Sequence, residues 1–271
     1  MKFLRLTVIE MRRALHRRLV RWMIFISLVG CVLLGLILFL TSRNPVSFAN
    51  DVGHPAHMAN WWDANSDGDS FLTPSALFLV VGAVICGASV VGAEWKAGTM
   101  TTMLTWVPSR IRLHGARTLS AALLSFVISF LLQIVYLSSA LPAVILNGNT
   151  EGTDFSWWGA LILAMSRISF ITLLVTVLAV SIATIGRNTS AALIVLATWA
   201  LVIERLIAGF WPKYGRFMIA ENVGTVVPWA ELRGADFQRP PIVALLTLVA
   251  YLIPVVVSAT ILFARRDVAM T

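Results

Sequence analysis

Apolar and polar residues alternate along this chain on the scale of whole segments. Six apolar stretches stand out: about Trp22 to Leu40, Ser75 to Ala93, Thr118 to Leu146, Trp158 to Ile185, Ser190 to Phe210 and Ile242 to Phe263. A helix needs about 20 such residues to cross the hydrocarbon core of a bilayer, so each stretch predicts one membrane span. The segment before them has a finer pattern. Leu4, Val8, Met11, Leu15 and Leu19 fall on one helical stripe, with most of the basic residues elsewhere on the cylinder. That predicts an interfacial amphipathic helix over residues 1–21, running continuously into the first span; the alternative is a plain cytoplasmic tail. The expected fold is an all-α integral membrane protein: one six-span domain over residues 22–264 and a short tail over 265–271.

Composition agrees. Of 271 residues, 58% are hydrophobic and 13% charged, more apolar surface than a soluble core of this length could hide. The net charge of +8 could suggest nucleic acid, but the basic residues sit at the ends of apolar runs and not on a face interleaved with aromatics. Topology accounts for them. Lys2, Arg5, Arg12, Arg13, Arg17, Arg18 and Arg21 precede the first span, Lys96, Arg110, Arg112 and Arg117 lie between the second and third, Arg187 follows the fourth, and Arg265 and Arg266 follow the sixth. The opposite loops hold Asp51, Asp63, Asp67, Asp69, Glu151 and Asp154, so the positive-inside rule puts both termini in the cytoplasm. The mixed charge of residues 211–241 weakens the bias without reversing it. The first apolar run is longer than a signal-peptide core and lacks a small-x-small cleavage site, which favours a span. Cys31 and Cys86 both lie inside apolar runs and give neither a disulfide framework nor metal spacing.

The segment from Glu94 to Arg112 interrupts two spans with helix-capable chemistry. Glu94 closes one run, Gly98-Thr99 allows a turn and a fresh start, Pro108 stops the new helix, and Arg110 and Arg112 lead into the next run. A short helix over about Thr99 to Trp106 would carry Met100, Met103, Leu104 and Trp106; the plainer reading is an ordinary basic loop. With the amphipathic start, the Gly186-Arg187-Asn188 turn, the proline-broken stretch 211–241 and the count of six spans, this segment resembles the membrane subunits of type-2 ATP-binding-cassette (ABC) exporters. Its most specific part is Glu94-Trp95-Lys96-Ala97-Gly98-Thr99 with Pro108-Ser109-Arg110. The resemblance implies a cytoplasmic coupling helix seated in a cleft of an ATPase subunit, with Glu94, Trp95, Lys96, Gly98, Thr99, Met103, Pro108 and Arg110 at or near the contact. It also implies short re-entrant helices on the outer side before the last span, with breaks at Pro212 and Pro228, and a second permease subunit, identical or related.

No phosphate-binding Gly-x-x-x-x-Gly-Lys-Ser/Thr loop is present in the sequence, so ATP and magnesium are expected on a separate ATPase chain, with no cofactor held by this one. Hydrolase signatures are likewise missing, and the chain reads as a permease and not an enzyme.

Several polar residues lie where they need an explanation. Arg167 and Glu204 fall in the outer halves of adjacent antiparallel spans. A charge deep in lipid costs about 2.5–3.5 kcal/mol on insertion scales, so the two are expected to pair, as a structural clamp or as a gate. Gln133, in the middle of the third span, is expected to bond a neighbouring helix. Small residues at four-residue spacing, Ala83 with Gly87 and Ala88 with Gly92, permit close helix approach, either between subunits or within one. Asp63, Asn65, Asp67 and Asp69 match the opening of a calcium loop, but its twelfth position is Pro74 in place of a bidentate Glu, and a solvated acidic loop is the alternative. His54 and His57 have no evident third ligand. The reading with most support is a permease subunit of an ABC exporter in the cell membrane. Its rivals are an ion-gradient-driven secondary carrier, for which only Arg167 and Glu204 speak, and a non-transporting immunity or anchoring protein.

Overall fold

A computed structural model describes residues 3–43, 57–62, 71–107, 109–227 and 240–265. The described residues are organised by helices. Helix α1 (Phe3–Leu15) precedes α2 (Arg18–Thr41), followed by α3 (Leu72–Lys96), the short α4 (Thr99–Trp106), α5 (Arg110–Asn147) and α6 (Phe155–Gly186). Then come α7 (Thr189–Phe210), the short α8 (Ile219–Val226) and α9 (Pro241–Arg265). Single helical turns at Met58–Trp61 and Pro212–Gly215 lie in the connections. Helices α2, α3, α5, α6, α7 and α9 are long and apolar enough to cross a membrane, one for each apolar stretch in the sequence. The chain is a multi-pass, all-α membrane protein.

Polar residues punctuate the helices as their chemistry dictates. The Asp154 carboxylate accepts a hydrogen bond from the Trp157 amide at 2.9 Å and starts α6; the Asn188 side chain accepts one from the Ser190 amide at 2.8 Å and starts α7. Between them Arg187 turns the chain in the left-handed region, at φ 51°. One boundary departs from expectation. The amphipathic stripe does not run unbroken into the first span, because Arg17 is extended (φ −67°, ψ 133°) and its guanidinium donates to the Ser89 and Val90 carbonyls at 2.7 and 2.9 Å. These bonds to α3 hold the joint at which α1 turns away from α2.

Helix α6 is the centre of the bundle, with α3, α5 and α9 as its main neighbours. Within their most apolar stretches, 56% of α6 is buried but only 11% of α2 and of α7, so lipid is the natural solvent for most of those two. The small residues of α3 pack within this chain. A methyl group at Gly87 would stand 3.0 Å from the Thr176 carbonyl oxygen of α6, and one at Gly92 would collide with the backbone of Thr189 at the start of α7. One end of the core gathers Trp61, Phe71, Tyr136 and Trp157, and the other gathers Val91, Met100, Leu113 and Phe263. Gln133, fully buried, donates to the Met165 carbonyl and the Ser169 hydroxyl at 3.3 and 3.0 Å and ties α5 to α6 midway.

Candidate functional site

The segment following α3 forms the predicted helix. Gly98 is left-handed (φ 67°, ψ 7°), a conformation that costs a side-chain-bearing residue free energy, and it reverses the chain into α4. The Thr99 hydroxyl donates back to the Glu94 carbonyl at 3.5 Å. Helix α4 ends where the Val107 amide donates to the Met103 carbonyl at 2.9 Å, and Ser109 opens α5 with its carbonyl accepting from the Leu113 amide at 3.1 Å. Pro108 itself lies outside the described residues.

Beneath α4 lies a cluster of five charged side chains from four segments of the chain. Glu94, in the last turn of α3, receives Arg17 at 2.6 Å and Arg13 at 3.3 Å on Oε1, and Arg117 of α5 at 2.6 Å on Oε2. Glu10 of α1 bridges Arg13 at 2.9 Å and Arg117 at 3.3 Å. The Arg117 side chain is 1% exposed, and those of Glu10 and Glu94 7% each. The Arg117 contacts with the two carboxylates are close but not aligned as hydrogen bonds, so they act through charge. Burial pushes the Arg17 guanidinium below its ordinary pKa, with Glu94 opposing the shift. Three arginines against two glutamates leave a surplus of one positive charge inside the cluster.

Helix α4 is seated on this cluster by sulfur. Arg117 donates to Met100 at 3.1 Å and also contacts Met103, while Arg13 meets Met103 at 3.3 Å. Met100 is buried and Met103 and Leu104 half-buried, whereas Thr99, Thr102 and Thr105 are exposed and Trp106 is 82% exposed. The short helix thus has an inner side fixed to α1, α3 and α5 and an outer side with a prominent indole. The other expected coupling residues divide. Lys96 is exposed beside α4. Trp95 turns into the bundle, under the Arg187 guanidinium at 4.7 Å from its ring centre and edge-on to Phe263 at 6.3 Å. Arg110 donates to the Ala264 carbonyl at 3.4 Å, linking the start of α5 to the end of α9.

Sequence reasoning assigned Arg13, Arg17 and Arg117 only to topology and missed Glu10. A signal was available: Glu10 is the only acidic residue before Asp51, three residues from Arg13 and opposite the apolar stripe. In the structure Leu6, Thr7, Glu10 and Ala14 are the buried face of α1, against α5, while Leu4, Val8 and Leu15 are exposed.

The second expected site is different from its prediction. Glu204 does not pair with Arg167. Its Oε1 accepts from the Trp199 indole at 2.6 Å and the Ile219 amide at 3.0 Å, and its Oε2 from the Ala220 amide at 2.6 Å. Helix α6 packs on the Thr189–Thr198 part of α7, short of Glu204, and a π-helical turn at Trp199–Ile203 shifts the phase of α7 by about one residue, or ~100°, ahead of the Glu204 that meets the start of α8. There the carboxylate meets the free N–H groups and positive dipole end of a helix. Arg167 is half-buried on α6.

The calcium candidates Asp63, Asn65, Asp67 and Asp69 lie outside the described residues, as do His54, Pro228 and residues 266–271. Among the described residues no group of three His, Cys, Asp or Glu side chains is arranged to hold a metal ion. In comparisons with known proteins, no family model matches the chain, and no curated sequence matches it.

Proposed function

We propose that this chain is the membrane-spanning permease subunit of an ABC exporter, paired with a second permease chain and driven by a separate cytoplasmic ATPase. The observation that carries the reading is the two-sided α4: an outer side free to seat in a partner, and an inner side tied through Met100, Met103 and Arg117 to Glu94 and α1. A push on Trp106 and its neighbours would move α4, α1 and the ends of α3 and α5 as one body. On this reading the arginine-rich end faces the cytoplasm with both termini. ATP and magnesium are handled by the partner, and the residues of α4 transmit motion without catalysing. An amphipathic or lipid-like compound is the class of substrate that fits.

The test is to isolate the tagged full-length chain from its native membrane under mild detergent and crosslinking, and to identify what accompanies it. The expected result is an ATPase with a phosphate-binding loop in comparable amount, lost in Trp106→Asp while the thermal transition of the chain stays in place. Recovery of the chain with no ATPase, crosslinked or not, would overturn the reading in favour of an ion-driven carrier.

A further inference from the structure

The last turn of α3 touches two different parts of the bundle. Glu94 faces the charge cluster, whereas Gly92 and Trp95, three residues apart and so on one side of the helix, face the turn between α6 and α7. At Gly92 the lack of a side chain lets the chain approach, since an added methyl group would collide with the Thr189 backbone. At Trp95 the ring lies under the Arg187 guanidinium, 4.7 Å from its centre. The two contacts fall on either side of Asn188, whose side chain starts α7. The helix that follows is lightly held: within Thr189–Thr198 only Ala192 is buried, and further along Glu204 ties it to α8.

Two features give this contact a role in positioning. Among the described residues, Arg187 alone combines a side chain with a positive φ, at φ 51° and ψ 20°. A left-handed backbone costs such a residue free energy that glycine would not spend, so a contact made by the arginine side chain itself must offset the strain. The guanidinium over the Trp95 face is such a contact. The Trp95 indole N–H, in turn, is buried and has no hydrogen-bond partner among the described residues. Trp95 therefore acts through its ring, with Arg187 over its face and Phe263 of α9 in a T-shaped contact at 6.3 Å. We infer that Trp95 is a positioning residue for α7: by holding the left-handed Arg187, it fixes the α6–α7 turn to the last turn of α3. Its meaning for transport rests on the permease reading, on which a push on α4 reaches α7 as well as α1 and α5. The hold itself is a property of the chain alone and is tested without a partner.

The test is hydrogen exchange on the full-length chain in nanodiscs, read at Ala191, Ala192 and Leu193 in the first turn of α7. The Ala192 amide donates to the Asn188 carbonyl at 3.3 Å, so it reports how firmly α7 is closed on its turn. Trp95→Leu is expected to speed exchange there about fivefold, the size of one cation–π contact, with α1 unchanged. Arg187→Ala, which keeps the left-handed backbone but loses the cation, should match it, and the double variant should exchange no faster than either single one. Trp95→Phe keeps an aromatic face and gives up only the unpaired N–H, so it should stay within about twofold of wild type. Unchanged exchange in Arg187→Ala, or multiplied effects in the double variant, would overturn the assignment. So would an equal rise in α1, or Trp95→Phe behaving as Trp95→Leu, since indole volume and not the ring face would then decide. Arg187→Ala alters a half-buried side chain at the turn and settles the matter even if Trp95→Leu fails to fold. The two readings fail separately: an ATPase recovered with unmoved exchange leaves the permease and removes the hold, and the expected exchange pattern without an ATPase does the reverse.

Discussion

Each end of the bundle is organised around a buried glutamate, and the two are held by opposite means. Glu94 is surrounded by three arginine side chains from α1, from the α1–α2 joint and from α5, which are distant in sequence. Glu204 is held by an indole five residues before it and by two backbone amides of the hairpin that follows. The first arrangement depends on charge balance, so losing one member leaves buried charges without partners. The second depends on N–H donors fixed by helix geometry, which are present whatever the side chains of α8. One glutamate joins four segments of the chain; the other secures a local return.

That contrast can be broken most directly at Glu94. Glu94→Ala leaves Arg117 buried with only Glu10 to balance it, and should destabilise the protein by about 3–5 kcal/mol, read as a lowered thermal midpoint and new protease cleavage in α1. Combining it with Arg117→Met should recover part of the loss, because the uncompensated cation is gone; no recovery would mean that the cluster stabilises through packing alone. Glu204→Gln keeps the shape and one acceptor but loses the charge, so the expected cost is about 1–3 kcal/mol. Its signature is local: faster hydrogen exchange at the Ile219 and Ala220 amides, with α1 unaffected. Gly98→Ala should cost about 1 kcal/mol through its left-handed backbone, since the added methyl group meets no neighbour. The smallest effect sharpens the correction at Arg167. Arg167→Ala and Glu204→Gln should be additive to within about 0.5 kcal/mol, and a larger coupling would restore the abandoned pair.

The spans were legible because twenty apolar residues in a row admit few other structures. The short helix α4 was legible for a different reason: Gly98 and Pro108 bracket a length of chain suited to two helical turns. What sequence could not supply was phase. Helix α6 packs against the Thr189–Thr198 part of α7, short of Glu204, and the π turn at Trp199–Ile203, which has no composition signature, comes just before the carboxylate that meets α8. The charge cluster was hidden for a related reason. Arg13, Arg17 and Arg117 satisfy the positive-inside pattern wherever their side chains point, so their second role becomes visible only when α1 is packed against α5.

Helix α5 has a mechanical consequence. It is 38 residues long, about 57 Å, the longest of the described helices, ahead of the 32 residues of α6. Arg117 near its start belongs to the charge cluster, Gln133 grips α6 at mid-length, and Asn147 at its end donates to the Ser42 hydroxyl beyond α2 at 3.0 Å. If the helix pivots at Gln133 it acts as a lever, with Pro142 inside its far arm. The arm from Gln133 to Asn147 is about 21 Å, so a tilt of ~5° about that fulcrum displaces the far end by about 2 Å, enough to break a hydrogen bond. Work done on one side of the bilayer can therefore be felt on the other through a single piece of secondary structure, with no relay of side chains in between.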